Sequence, residues 1–453
     1  MPRNIFVEIH TLTSYSSVLL NRDDFGSPKT GFFGGKERTR ISSQCQKYAW
    51  RQYLQDQGFD ISVRSREIFK SIADDIIASN PSLDKVAVIS AVVACKKALL
   101  AQKDKDSKVQ QDFEKKLKAV QSANADLQVI INELEQSDEN TVDKEVLKKI
   151  NNLKKDKIKK QKSYNSKLET LREYAEKNDI TFNDKDILSD ADVDYSTTAS
   201  LKDNEIFVIG KNEIDAIKNL ATEIAGKQTD DEKKEILKNI KSFEKLTLND
   251  RTAVDIALSG RMIAGAPDSR VDSSMSVAHA ITTHEHEEFS DYFTAVDSLN
   301  PNGSAHINSQ ALTSGVFYGY AVVEMAKLFS NLSGKKESDF INSNLDLESE
   351  VIAKLIEAMC FITPGAKKGS TAPYGTNHML VVQISDKQPQ NLVTAFEKPT
   401  EKTTSSAEDA FRTFLQQNYN HNGFSKKTYA TFNGMDSTKI ISQVKSDIIN
   451  KSI

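Results

Sequence analysis

Seven cationic side chains fall between residues 22 and 51: Arg22, Lys29, Lys36, Arg38, Arg40, Lys47 and Arg51. Lys and Arg at this density suit phosphate binding, because they supply charged N–H donors without reading a base. Ser42 and Ser43 stand before a stretch of helical character that runs to about Leu54, where serine caps a helix N-terminus. Lys47 and Arg51 follow Gln44 at i+3 and i+7, which puts the three on one helix face. Cys45, Ala49 and Tyr53 fall roughly opposite. The helix end adds free N–H groups and partial positive charge. Ser42, Ser43, Gln44, Lys47 and Arg51 therefore read as a phosphate-binding surface. A solvated helix face has the same spacing, so the pattern alone leaves both readings open.

Other chemistries leave fainter traces. There is no Gly-x-Ser-x-Gly nucleophile motif, and Gly34, Gly35 and Lys36 lack the spacing of a Walker loop. Five of the seven histidines are His279, His284, His286, His306 and His378. His284 and His286 alternate around Glu285, so in an extended segment both rings share a face. With nearby acids they outline a metal-dependent nuclease, but a third ligand is not visible, and a polar surface accounts for the pattern equally. No metal, cofactor or catalytic residue is expected. Cys45, Cys95 and Cys360 are far apart, which excludes a disulfide framework and suits a reducing cytosol.

The 453 residues allow two or three domains, at roughly 150 residues each. Lys and Arg total 60 against 64 Asp and Glu, a net charge of −4, so nucleic-acid binding requires a local patch. The N-terminus lacks the apolar core of a signal peptide, and no apolar run is long enough to cross a membrane. A cytoplasmic protein without membrane contact is the expectation.

Several elements must position the cationic cluster. Ile5, Val7 and Ile9 alternate with Phe6, Glu8 and His10, which predicts an opening strand. Gly34 and Gly35 predict a tight turn with positive φ. Residues 60–101 read as two helices broken near Ser79–Asp84. From about 103 to 178 the chain is polar with narrow apolar stripes: Leu127, Ile131 and Leu134, then Val146, Ile150 and Leu153, then Leu168, Leu171 and Ala175. That pattern predicts an antiparallel helical hairpin. Within it, residues 148–162 carry eight lysines and one acid, Asp156. Such a run is usually a solvated face, with a nucleic-acid-facing patch as the sharper alternative. Further helices are expected through Ile224, over about 229–245, and near 348–361 and 406–419. The clearest later strands are Gly315–Val323 and Met379–Ile384.

Ordered motifs along the chain then resemble one family. They are Leu20–Asp24 (LNRDD), Phe33–Lys36 (FGGK), Arg40–Gln44 (RISSQ) with Lys47, and Asp255–Met262 (DIALSGRM). Val277–His284 (VAHAITTH), Asp291–Asp297 (DYFTAVD), Gly303–His306 (GSAH), Ser314–Tyr318 (SGVFY) and Pro364–Lys367 (PGAK) follow. The family is the CRISPR-associated CasC subunit, the Cas-seven member of the type I-E Cascade complex. The resemblance covers residues 1–60 and about 205–400; residues 102–200 match poorly.

The resemblance implies an α+β fold, a modified RRM or ferredoxin-like palm with an inserted helical fingers domain and a β-hairpin thumb. The palm would comprise 1–54, 246–262 and 292–400, the fingers 55–245, the thumb 263–291, and a helical segment 401–453. It implies a polymer of this chain along a CRISPR guide RNA, in contact with other Cascade subunits and with target DNA. Arg22, Lys29, Ser42, Ser43, Gln44, Lys47, Arg51, Lys367 and Lys368 would hold the guide. Met262, Ile263, Val271 and Met275 are the thumb candidates for splaying bases, each equally consistent with hairpin packing. Related proteins of type III cut RNA with a thumb aspartate, and Asp268 and Asp272 lie in the corresponding stretch; the type I-E motifs imply no nuclease activity. Besides the nuclease, a protein–protein scaffold docking through the 103–178 hairpin is the other alternative.

Overall fold

The computed structural model describes the chain apart from residues 1–4, 101–107, 137–143, 178–179, 183–194, 198–200, 202–204, 228, 240–252, 264–265, 267–268, 300–303, 366, 423–426, 434–435 and 452–453. Asp268 and residues 137–141, between the two halves of the expected helical hairpin, lie outside the described residues. Two compact units emerge. One comprises Met1–Ser62, Asn249–Arg261 and Val271–Ile453; the other comprises Val63–Leu248 and Met262–Arg270.

In chain order, β1 (Phe6–Val18), β2 (Thr30–Phe33) and β3 (Lys36–Ile41) lead into α1 (Ser43–Asp56). The second unit then holds β4 (Val63–Ser65), α2 (Ile68–Ser79), α3 (Lys85–Leu99), α4 (Lys108–Glu135) and α5 (Lys144–Lys177). β5 (Ile180–Phe182), β6 (Tyr195–Thr197), β7 (Phe207–Ile209), α6 (Lys211–Ala225) and α7 (Asp230–Asn239) complete it. Back in the first unit come β8 (Met275–Val277), β9 (Ala280–Thr282), β10 (Glu288–Val296), β11 (Ser304–Glu324), β12 (Thr376–Ser385) and β13 (Lys427–Thr431). Helices Val254–Ser259, Met325–Ser333, Asp346–Phe361, Thr404–Asn422 and Ser437–Ile449 join them.

The first unit is α+β, built on one large antiparallel sheet ordered β13-β12-β1-β11-β9-β3-β2, with β8 and β10 also pairing β11. The period-2 alternation of β1 explains its place. Val7 and Ile9 face a core with Leu380, Val382, Trp50, Leu328 and Ile356. Leu12 faces the opposite layer with Tyr318, Met379, Phe396 and Phe411. Both faces are covered, so β1 is buried along most of its length.

The second face carries a buried polar network. Tyr320 donates to Glu8 at 3.0 Å, and the Gln390 N–H donates to the same carboxylate at 2.7 Å. His10 Nδ1 lies 2.9 Å from the Tyr318 hydroxyl. Burial raises the Glu8 pKa, with the Gln390 and Tyr320 hydrogen bonds opposing it. Burial lowers His10 to about 3.

The second unit is mainly helical. Phe69, Ile72, Val88, Val92, Ile217 and Ala221 form the core of α2, α3 and α6. The expected helical hairpin is present as α4 and α5, with a seam of Phe113, Leu117, Val120, Leu171 and Ala175. The eight lysines of 148–162 lie on α5, and Lys160 pairs with Asp126 at 2.6 Å.

Several expected boundaries differ. The helical unit begins at Val63 rather than 55, because Ser62 is tied to Asp255 of the first unit through N–H and hydroxyl bonds of 2.8 and 2.6 Å. Residues 263–291 do not form one hairpin. Ile263 and Ala266 bury in the core of the second unit, while β8 and β9 pair with β11. The hairpin of this region is β10 with the first half of β11, from Glu288↔Thr313 to Val296↔Ser304. The 401–453 segment is not wholly helical, since β13 pairs β12 from Leu380↔Thr431 to Ile384↔Lys427.

The buried His10 makes stability pH-dependent. Its folded pKa is depressed, so below about 6.5 the unfolded chain binds a proton that the folded chain refuses until about pH 3. This contribution is therefore lost progressively as pH falls from about 6.5 towards 3. Thermal melts should show a smaller acid-induced fall for His10→Gln than for the wild type. Equal falls would place the acid sensitivity elsewhere.

Candidate nucleic-acid interface

β2 and β3 form a hairpin at the edge of the sheet, turned by Gly34 and Gly35 at φ +60° and +72°. Only glycine adopts that pair of conformations freely. A Cβ on Gly34 would also sit 1.8 Å from the Glu397 carbonyl oxygen, so the turn presses against that backbone. The ladder holding this hairpin is thin. β3 meets β9 only at Arg40↔Ile281 and Ile41↔Ala280, and β9 meets β11 at two pairs.

Side chains supply the rest of the attachment. Arg38 is fully buried. It donates to the carbonyls of Thr282 at 3.0 Å and Phe396 at 2.9 Å, and reaches that of Glu397 at 3.4 Å. Burial lowers its pKa while the Glu285 carboxylate opposes the shift, and a guanidinium stays charged in any case. The Thr39 hydroxyl and His286 Nδ1 are hydrogen-bonded at 2.7 Å, and the His286 backbone N–H donates to the Glu37 carbonyl at 2.7 Å.

The strand ends where α1 begins. Ser42 caps α1 by accepting from the Cys45 N–H at 3.2 Å, and its own N–H donates to Asn21 Oδ1 at 2.9 Å. The Lys29 N–H donates to the Asn21 carbonyl, and the Arg40 N–H to the Lys29 carbonyl, both at 2.8 Å. The 19–29 loop is thereby bound to the helix end. Asp23 folds the loop tip by accepting from the N–H groups of Phe25 and Ser27, both at 2.9 Å.

A groove of about 770 Å³ opens between hairpin, helix end and the 277–282 segment. Lys29, Ser42 and Gln44 line it. Arg40 of the cationic cluster joins them, and so do His279 and Phe32, which no spacing in the sequence links to it. Arg40 Nε donates to the Thr30 carbonyl at 2.9 Å and Nη1 to His279 Nδ1 at 3.1 Å. Burial, then the charges of Arg40 and Lys29, lower the His279 pKa, which keeps its ring neutral and able to accept. Lys29 and Lys368 both draw down the pKa of the half-buried Cys45 thiol, although burial outweighs them and raises it. Lys368 thus belongs to the same cationic neighbourhood.

The other expected residues lie around this centre. Ser43 opens α1, and Lys47 and Arg51 follow further along the helix, half-buried, with Arg51 over the Tyr48 ring at 5.3 Å. Gln46, Ala49, Trp50 and Leu54 form the buried face, with Lys47 and Arg51 half-buried and Gln44 exposed. Arg22 is exposed on the loop and bridges Pro28. Lys367 sits at φ +56° and bonds Gln310 on β11. Of the base-splaying candidates, Ile263 and Met275 are buried in separate cores and have no face to offer a base. Val271 is half-buried opposite Arg261, and Met262 is exposed. The exposed apolar side chains of the β10–β11 hairpin are instead Phe289, Tyr292, Phe293 and Ile307.

The histidine pair is structural in geometry. His284 is buried and donates from Nδ1 to the Glu285 carbonyl at 2.8 Å, while Nε2 accepts from the Val316 N–H at 3.2 Å. Both ring nitrogens are occupied by backbone. Among the described residues no group of three His, Cys, Asp or Glu side chains is arranged to hold a metal.

The sequence profile of the CT1975-like protein family matches residues 7–181 and 163–452. The chain belongs to this Cas-seven-like family. Two solved structures share the family fold. One, described as "CRISPR RNA-guided surveillance complex, pre-nicking", is 21% identical at a TM-score of 0.61, covering 98% of this chain and 100% of that one. The other, described as "CRISPR RNA-guided surveillance complex", is 18% identical at a TM-score of 0.53, covering 98% and 99%. No curated protein matches the chain. Among the described residues no helix is long and apolar enough to cross a membrane.

Arg38 gives this site a direct stability test. Arg38→Met leaves the Thr282 and Phe396 carbonyls buried without their donor, which should cost about 2–4 kcal/mol. The thermal transition of the first unit should fall by several degrees. An unchanged transition would show that the thin ladder suffices.

Proposed function

We propose that this protein is a guide-RNA-holding backbone subunit of a type I-E CRISPR surveillance complex. The observation that carries the reading is the groove at the start of α1, where Lys29, Ser42 and Gln44 converge beside Arg40. Membership of the Cas-seven-like family and the shared fold support it. The donors are ammonium, guanidinium, hydroxyl, amide and helix-end N–H groups, which suit phosphate and ribose. A subunit built this way holds any guide, and target DNA is selected by base pairing with the guide.

The polar line along Gln44, Lys47 and Arg51 continues the groove along α1. We assign the thumb to the β10–β11 hairpin, whose exposed Phe289, Tyr292, Phe293 and Ile307 are suited to wedging between bases. In this reading copies assemble head to tail along one RNA in the cytoplasm, contact other subunits of the complex, and perform no catalysis.

Lys47→Glu with Arg51→Glu tests the assignment. Both side chains lie away from the buried Ala49–Trp50 face, so the double variant should keep its circular dichroism spectrum. It should purify with little or no bound RNA, and weaken binding of all RNA sequences alike. Each lost phosphate contact should lower the salt dependence of binding by about 0.7 in log–log slope. A folded double variant carrying a normal load of RNA would contradict the assignment.

A further inference from the structure

Phosphate binding alone leaves part of the α1 groove unexplained. Lys29, Arg40, Ser42 and Gln44 give the lining its cationic and polar groups, and Phe32, Phe33 and Ile281 add apolar ones. Phe32 is 82% exposed on the edge strand β2. An aromatic ring standing in water beside a cationic groove is what a stacking platform for single-stranded nucleic acid requires. The groove's volume of about 770 Å³ also falls within the roughly 300–1,000 Å³ typical of small-ligand sites, ample for one nucleotide.

Arg40 is held in the groove by two hydrogen bonds. Its bonds to the Thr30 carbonyl and to His279 Nδ1 use two of five N–H donors and fix the guanidinium plane. Among the described residues the remaining donors have no hydrogen-bond partner, and Arg40 lines the groove.

We infer that the groove takes a whole nucleotide, with its phosphate on Lys29 and Arg40 and its base stacked on Phe32. Arg40 is then a binding residue and His279 a positioning residue that acts through it. Stacking accepts every base, because each has a π-face, so the site stays indifferent to guide sequence. This inference rests on the guide-RNA reading.

The test uses the full chain, stripped of nucleic acid, and two single-stranded RNAs: one intact and one with abasic sites through its centre. Phe32→Ala should weaken binding of the intact RNA by about tenfold, with no change in salt slope, since no charge is lost. The same variant should bind the abasic RNA as the wild type does. Arg40→Gln should lower the salt slope on both RNAs. His279→Ala should weaken binding, and His279→Gln, whose amide oxygen still accepts from Arg40, should restore it. Phe32→Ala binding intact RNA like the wild type, or losing equally on both RNAs, would overturn the nucleotide pocket and leave the guide reading standing. A wild-type protein that binds neither RNA would overturn both.

Discussion

One buried guanidinium sets the geometry on which the candidate interface depends. The β2–β3 hairpin carries Phe32 and Arg40 and leads directly into α1, yet its backbone ladder to β9 is two residue pairs long. Arg38 compensates by joining β3 to the Thr282 carbonyl of β9 and to the carbonyls at 396–397. Burying a charge is costly unless its donors are matched, and a planar fork among carbonyls matches several at once. Gly34 lets the turn reach the same Glu397 carbonyl. The Ser42–Asn21 bond then carries this fixed geometry into the 19–29 loop.

A second constraint limits where the proposed RNA can lie. Many single-strand binders use an open sheet face, but this sheet is covered on both sides. Val7 and Ile9 pack under one layer of helices, and Leu12, Tyr318 and Phe411 under the other. The remaining accessible features of the first unit include the sheet edge at β2–β3, the start of α1, and the β10–β11 hairpin. The cationic groove and the exposed aromatic side chains occur at these places.

Much of the architecture was legible because it is written in local periodicity. The alternation of β1, the apolar runs of β11 and β12, and the narrow seam of α4 and α5 all appear where the pattern puts them. The capped start of α1 and its polar face were equally local. Elements fixed by distant partners were not legible. β8 and β9 are three residues each and exist because β11 pairs with them. Ile263 and Met275 have the composition of a wedge, and only tertiary packing places them inside. β13 is short and polar, a strand because β12 offers it an edge. Arg40 and His279 are 239 positions apart, so no spacing rule connects them.

The central claim is that RNA lies along the 29–51 segment of the first unit. Ultraviolet cross-linking of the natively purified complex, followed by mass spectrometry of the cross-linked peptides, tests it most directly. Nucleotide adducts are expected on peptides spanning the β2–β3 hairpin and α1, and on the β10–β11 hairpin. Adducts confined to other segments, with the 29–51 peptides recovered unmodified from an RNA-loaded complex, would contradict it.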